Sequence, residues 1–495
     1  MAQFSRSSGI LMPIFSLPSD YPIGSLGKEA YQFVDFLVSA RQKYWQILPI
    51  GHTGYGNSPY QCYSVIAGNP YLISLEMLVE DGLLRKEDIL SFTGDYPKVN
   101  YEFLLFSQMS ILKKAFRNAD STTLEEVKKF EQENKEWIND YAFFMALKDC
   151  FSGKAVWEWN KDIRTRNHKA MSEYEKILHN DILFYKFIQY LFFRQYKKLK
   201  DYANSKGVKI IGDIPIYPSP DSCDVWANPK LFKVDEEKLV TKKIAGVPPD
   251  YYSATGQVWG NPVYDWNVHE KQGYSWWIWR MKKMFEISDV VRIDHFRAFC
   301  DYFEIPQGEE TAVNGKWQPG PKMKLFNAIK NHLGDVPIIA EDLGDIDDAV
   351  REFLAESGYP GMRVIVFGLQ ENEDNMHLPH NWPKNCVGYT STHDSETFVQ
   401  KVFLLNKVDR DFAKDYVNFN GSYRLGLSAV RSAMASPANM VIFPIQDCLS
   451  LGREGRMNTP STVSGGNWSW RLPKDALSEK LTRQLSNFTR VYKRC

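Results

Sequence analysis

Three runs of this sequence end in carboxylates: Val290-Val291-Arg292-Ile293-Asp294, Ile338-Ile339-Ala340-Glu341-Asp342 and Val387-Gly388-Tyr389-Thr390-Ser391-Thr392-His393-Asp394. Two carboxyl groups that face each other can cleave a glycosidic bond. In the retaining form of that chemistry one attacks the sugar while the other gives, then takes back, a proton, and the two stand about 5 to 5.5 Å apart. The nucleophile must be ionised at neutral pH. Arg292 lies two residues before Asp294, and strand alternation puts both side chains on one face. A guanidinium so placed is expected to depress the pKa of its neighbour, which makes Asp294 the candidate nucleophile. Glu341 is the candidate acid/base because its longer side chain can reach a glycosidic oxygen; Asp342 is a rival that spacing alone leaves open. Asp394, preceded by His393, suits hydrogen bonding to sugar hydroxyls, and Asp213, near the end of another apolar run, suits the same work. Acids in such places also serve as helix caps or ion-pair partners. Three in succession, two beside a histidine, favour a site.

Apolar, β-branched runs of this kind are buried on both faces, as in a parallel sheet covered by helices. Eight recur along the chain: residues 10–15, 44–50, 208–216, 290–294, 338–341, 362–367, 387–394 and 440–445. Helical patterns lie between many of them, for example around 27–41 and 345–357. This order predicts a single catalytic (β/α)8 barrel spanning 1–495, an α/β fold whose active sites sit at the carboxyl ends of the strands. Two intervals exceed a simple crossover. Residues 75–205 read as a helical insertion, with a Thr122/Glu125 capping box opening a helix that carries Trp137, Tyr141, Phe144 and Met145 as a packing stripe. Residues 218–288, rich in Pro, Gly, Tyr and Trp, read as a loop-rich excursion that includes an active-site lid.

Composition narrows the chemistry. Sixty basic residues balance 60 acidic ones, so no electrostatic case exists for nucleic acid or an anionic membrane; a neutral substrate fits. Aromatic residues make up 14%, and flat aromatic faces are what sugar rings stack on. Seven scattered cysteines without paired spacing suggest free thiols in a reducing compartment and carry no zinc signature. The apolar stretch from Ile10 is broken by Pro13 and lacks a cleavage site, and no run approaches the roughly 20 apolar residues of a membrane span. A cytoplasmic location is expected, as a monomer or small homo-oligomer.

Asp213-Ile214-Pro215, Arg292-Ile293-Asp294-His295, Ala340-Glu341-Asp342-Leu343-Gly344 and Thr392-His393-Asp394 stand in the order of the α-amylase clan's characteristic regions. Ile47-Leu48-Pro49-Ile50-Gly51, Tyr55-Gly56-Asn57-Ser58-Pro59-Tyr60, the segment from Gly246 to Trp266, Arg456-Met457-Asn458-Thr459-Pro460 and Gly466-Asn467-Trp468 narrow the likeness further. Over about residues 6 to 475 the chain resembles the amylomaltase (4-α-glucanotransferase) family. The resemblance implies Asp294 as nucleophile, Glu341 as acid/base and Asp394 as transition-state stabiliser. It implies sugar-binding positions at Asp213, Arg292, His393, Tyr60 and Asn467, and a lid of Tyr251, Tyr252, Gln257 and Trp259. The resemblance leaves open a remote second glucan groove, to which Tyr55 and Tyr101 would belong. It implies no metal and no cofactor, with maltooligosaccharides and α-1,4-glucans as donor and acceptor. Two departures stand out: Ser395 where the family often has Asn, and Ser461 where Gly is expected.

The expected reaction moves α-1,4-glucan segments between chains through a covalent glycosyl-Asp294. An α-glucan hydrolase with the same triad is the alternative, and a non-catalytic glucan-binding protein is a further one. Intact carboxylates at all three strand ends disfavour the last.

Overall fold

A computed structural model describes residues 4–495 apart from 55, 250–252, 371–374 and 463–465. Its twelve described strands are β1 (Ser7–Leu11), β2 (Tyr44–Gln46), β3 (Lys209–Ile214), β4 (Lys243–Val247), β5 (Gln257–Pro262), β6 (Val290–Ile293), β7 (Asp301–Pro306), β8 (Lys316–Pro319), β9 (Ile338–Ala340), β10 (Gly361–Val364), β11 (Cys386–Tyr389) and β12 (Met440–Pro444). Eight of them close a barrel in the order β1-β12-β11-β10-β9-β6-β3-β2, every pairing parallel. These are the eight runs expected from the sequence. Several are shorter than their apolar runs, because the ladder ends where the chain turns into the mouth: 44–50 pairs only over Tyr44–Gln46.

Burial explains the strand compositions. Val290, Val291 and Ile293 of β6 and Ile338, Ile339 and Ala340 of β9 are each at most 2% exposed, as a sheet between a filled interior and outer helices requires. The outer layer includes Lys28–Ser39, Ser275–Ile287 and Asp348–Ser357. The last is capped by Asp347, whose side chain accepts from the Val350 N–H.

Residues 75–205 are largely helical, but their last helix, His179–Ser205, belongs to the barrel wall. It leads into β3, its Tyr202 hydroxyl donates to Asp35 at 2.7 Å, and its Tyr196 hydroxyl donates to the Ile287 carbonyl at 2.9 Å. The expected Thr122/Glu125 cap does not form. Asp120 caps instead, accepting from the Thr123 N–H at 2.8 Å, which puts Thr122 inside the first turn. The aromatic stripe sits on a separate helix, Ile138–Cys150, with Trp137 as its N-cap. Trp137, Tyr141, Phe144 and Met145 are all buried, so the stripe is packing.

The excursion after β3 holds more than loops. β4 and β5 join β7 and β8 in an antiparallel sheet ordered β5-β4-β7-β8, with its own small core of Ile244, Phe303, Ile305 and Ala312. Its partner strands come from beyond β6, so the unit does not end near residue 288. Non-local pairing of this kind leaves no local mark in the sequence. Among the described residues, no helix is long and apolar enough to cross a membrane.

Candidate active site

The barrel register brings the first carboxylates together. In β3 and β6, Asp213 pairs with Arg292, and in β6 and β9, Ile293 pairs with Ala340. Asp294 and Glu341 each follow their paired residue by one, so they emerge side by side from neighbouring strands, whose spacing is about 4.8 Å. The turn that follows is tightly specified. His295 adopts a left-handed φ of 49°, unusual for a side chain other than glycine. Its N–H donates to Glu341 Oε2 at 2.7 Å, and the Leu343 N–H donates to Oε1 at 2.9 Å.

Arg292, buried in the barrel, serves two carboxylates. Its Nη1 lies 2.7 and 2.8 Å from the two Asp213 oxygens, and its Nη2 is 3.0 Å from Asp294 Oδ1. Desolvation raises the Asp294 pKa to about 6; Arg292 pulls it down, while Asp213 and Asp394 push it up. The expected net depression by Arg292 is therefore reversed, because one guanidinium divided between two acids does not offset burial. Glu341 is raised further, to about 8, first by burial and then by the charge of Asp294, against the opposing pull of Arg292 and the two N–H donors. A carboxyl poised to hold a proton thus stands beside one that ionises more readily, the arrangement acid/base assignment requires.

The rival acid is disposed of by its neighbours. Asp342 is 4% exposed in its side chain and ion-paired to Arg363 at 2.8 Å, and it accepts from the Met362 N–H at 2.6 Å. Gly361 makes room for it: a Cβ there would lie 2.5 Å from Asp342 Oδ2. Asp342 is a buried strut between β9 and β10, while Glu341, one residue earlier, emerges from β9 beside Asp294.

Asp394 arrives on the loop after β11. Its Oδ2 lies 3.2 Å from His393 Nε2, and its Oδ1 accepts from Asn458 Nδ2 at 2.7 Å. Burial raises its pKa, but His393, Asn458 and Arg292 together hold it at about 2. Tyr60 closes the set: its hydroxyl donates to Asp213 Oδ2 at 2.7 Å and meets His393 Nε2 at 2.7 Å, its ring stacked on the imidazole. The loop is braced from below by Asp447, which accepts from the Thr390 and Ser391 hydroxyls, each at 2.6 Å.

Other expected site residues fall differently. Asp213, expected to bind sugar, has a fully inaccessible side chain that pairs with Arg292 and accepts from the Tyr60 hydroxyl. Asn467 is half-buried, and its amide staples its own loop: Oδ1 accepts from the Thr459 N–H at 3.1 Å and Nδ2 donates to the Thr462 carbonyl at 3.0 Å. Trp259 and Gln257 lie on β5, where the indole N–H donates to Gln257 Oε1 at 3.1 Å. The Trp259 ring meets His295 edge-on at 4.8 Å, which carries the sheet to the carboxylates. Tyr251 and Tyr252, and Tyr55, lie outside the described residues. The Tyr101 hydroxyl donates to the Trp468 carbonyl at 2.9 Å.

The two departures have physical readings. Ser395 Oγ accepts from the Thr392 N–H at 3.0 Å and so closes the turn around Asp394. Ser461 adopts a φ of 61°, the conformation for which glycine is the default. Asn458 was missed as a site residue, although it stands inside the Arg456–Pro460 motif; its value appears only when that loop meets Asp394. Among the described residues, no group of three or more His, Cys, Asp or Glu side chains could hold a metal ion.

A closed parallel barrel with paired carboxylates at its mouth defines a carbohydrate-active enzyme of the (β/α)8 class. Residues 12–477 match the 4-alpha-glucanotransferase family, and the chain belongs to it. It is similar to 4-alpha-glucanotransferases of Clostridium butyricum (46% identical, covering 98% of this chain and 100% of that one) and Streptococcus pneumoniae (44%, covering 99% and 97%). The solved amylomaltase from Streptococcus agalactiae in complex with acarbose superposes with a TM-score of 0.96 at 41% identity, covering 99% of both chains.

Proposed function

We propose that the chain transfers α-1,4-glucan segments between maltooligosaccharides, or glucans derived from starch or glycogen, by a retaining double displacement. Asp294 attacks the anomeric carbon while Glu341 protonates the departing glycosidic oxygen, leaving a covalent glycosyl-Asp294. Glu341, now ionised, removes the proton from an acceptor hydroxyl, which displaces Asp294 and restores the α-linkage. Asp394, kept anionic, stabilises the positive charge that develops on the sugar ring. Arg292 holds Asp294 toward the cleft. His393 and Tyr60 frame the donor sugar, and Trp259 and Gln257, with Tyr251 and Tyr252, cover it so that a sugar reaches the intermediate before water does.

The observation that carries this reading is the in-register emergence of Asp294 and Glu341 on adjacent strands. That placement supports the narrow retaining separation over the wider gap of about 6.5 to 9.5 Å an inverting enzyme needs for its water. A cytoplasmic location fits the seven cysteines, all free thiols. The carboxylate set is complete in one chain, which suits a monomer or small homo-oligomer.

Incubation with maltotriose alone tests the reaction. It should yield glucose and a ladder of longer maltooligosaccharides with nearly constant reducing ends, since each bond cleaved is matched by one formed. Rising reducing ends without longer products would replace transfer by hydrolysis.

A further inference from the structure

Asp394 is 44% exposed in its side chain and yet has both oxygens engaged by side chains. His393 comes from its own loop. Asn458 comes from the loop after β12, is itself only 9% exposed, and is held from behind: its carbonyl accepts from Arg456 Nε at 2.9 Å. Arg456 Nη1 in turn pairs with Glu396 Oε1 at 2.9 Å, two residues beyond Asp394. The contacts close a ring that runs from Asp394 along the backbone to Glu396, through Arg456 to Asn458, and back to Asp394. The ring joins two loops that belong to different strands.

We propose that Asn458 is a positioning residue that fixes the orientation of the Asp394 carboxylate, and that the Arg456–Glu396 pair is the strut that holds Asn458 in place. The inference rests on the reading of Asp394 as transition-state stabiliser. An unheld carboxylate on a half-buried loop samples several rotamers; one gripped at both oxygens faces the cleft in a single orientation, so its charge is aimed before substrate arrives. The donated N–H also favours the anion. The charged and titratable groups that face Asp394 are His393, Arg292, Asp294 and Tyr60, with Arg456 and Glu396 behind Asn458.

Asn458→Asp supplies the test, because it sets a second carboxylate where an amide donated. Two carboxylates at hydrogen-bond distance share a proton. The acid limb of kcat/KM, set by Asp294 near 6 in the parent, should steepen toward two protons below about pH 5, where the coupled pair takes up a proton that Asp394 alone, held at about 2, does not. Asn458→Ala should lower kcat roughly tenfold to a hundredfold with little change in KM. Arg456→Lys, which keeps the charge but loses the Nε donor, should give a smaller loss of the same kind, and it reports independently should an Asn458 variant fold poorly. An acid limb that stays single-proton throughout in Asn458→Asp, or kcat losses matched by equal changes in KM, would overturn the assignment. Failure of the underlying reading looks different: Asp394→Asn would then retain near-parent activity, whereas failure of this inference leaves the loss in Asp394→Asn at about 10² to 10³.

Discussion

Asp294, at the end of β6, and Asp394, on the loop after β11, are the same chemical group at one cleft, and the protein ionises them in opposite directions. Asp294 has a guanidinium 3.0 Å away but shares it with Asp213, and burial prevails, raising its pKa to about 6. Asp394 has His393 and Asn458 and is held at about 2. Proximity to a cation is therefore a poor guide to ionisation when the cation has another claimant. What matters is how many acids divide it and how much water each has lost. The division also suits the two proposed roles. A nucleophile that is too stable an anion attacks and leaves poorly, whereas a stabilising carboxylate is useful only while charged.

The largest effect should come from removing the group that bonds to the sugar. Asp294→Asn should reduce transfer by roughly 10⁴-fold or more, with natural and activated donors alike. Asp394→Asn should cost about 10² to 10³ and still form the intermediate slowly. An adduct mapped by peptide mass to Asp394 instead of Asp294 would exchange their roles.

Glu341→Gln comes next. With maltooligosaccharides the loss should be about 10² to 10⁴. With an α-maltosyl fluoride, whose leaving group needs little protonation, the first step should survive. The intermediate should then accumulate, because an amide cannot deprotonate the acceptor. Equal loss with both donors would remove Glu341 from the acid/base role.

The pH profile follows from the same shifts. The proposed mechanism needs Asp294 ionised, so kcat/KM should fall as pH drops through about 6. It needs Glu341 protonated, so the rate should fall as pH rises through about 8. Asp213→Asn sharpens the comparison: it gives Arg292 wholly to Asp294 and removes a repelling charge, so the acid limb should move down, by about one pH unit. An upward move would show that sharing does not set the ionisation of Asp294.

The smallest effect concerns the lid. Replacing Trp259, or the pair Tyr251 and Tyr252, by Ala should raise the ratio of hydrolysis to transfer a few-fold (about 1 kcal/mol or less of selectivity) while total turnover falls. The ratio is read from reducing ends against ladder length on maltotriose, and an unchanged value would mean that another segment excludes water.

Much of this molecule was legible before folding. The eight barrel strands could be read because runs buried on both faces must be apolar throughout, as Val290-Val291 and Ile338-Ile339-Ala340 are. The acids at their ends could be read because a charge at the edge of such a run has to have a reason. The four-stranded antiparallel sheet could not, since β4 and β5 find β7 across the intervening β6 and residues so far apart carry no mark of their pairing. The helix start at Asp120 was displaced to Thr122 because neighbouring residues can each cap, and only the backbone geometry chooses between them.

At the site the same boundary recurs. Local order in the sequence determined which residue types stand at the strand ends and that Arg292 and Asp294 share a face. The choice between Glu341 and Asp342 was made by β10, whose Arg363 and Met362 N–H claim Asp342 and leave Glu341 beside Asp294. The ionisation of Asp294 was decided by β3, which brings Asp213 to the same guanidinium, and that of Asp394 by the loop after β12, which brings Asn458. Electrostatic energies depend on distances between charges and on lost water, and both are properties of the packed barrel that no single segment contains.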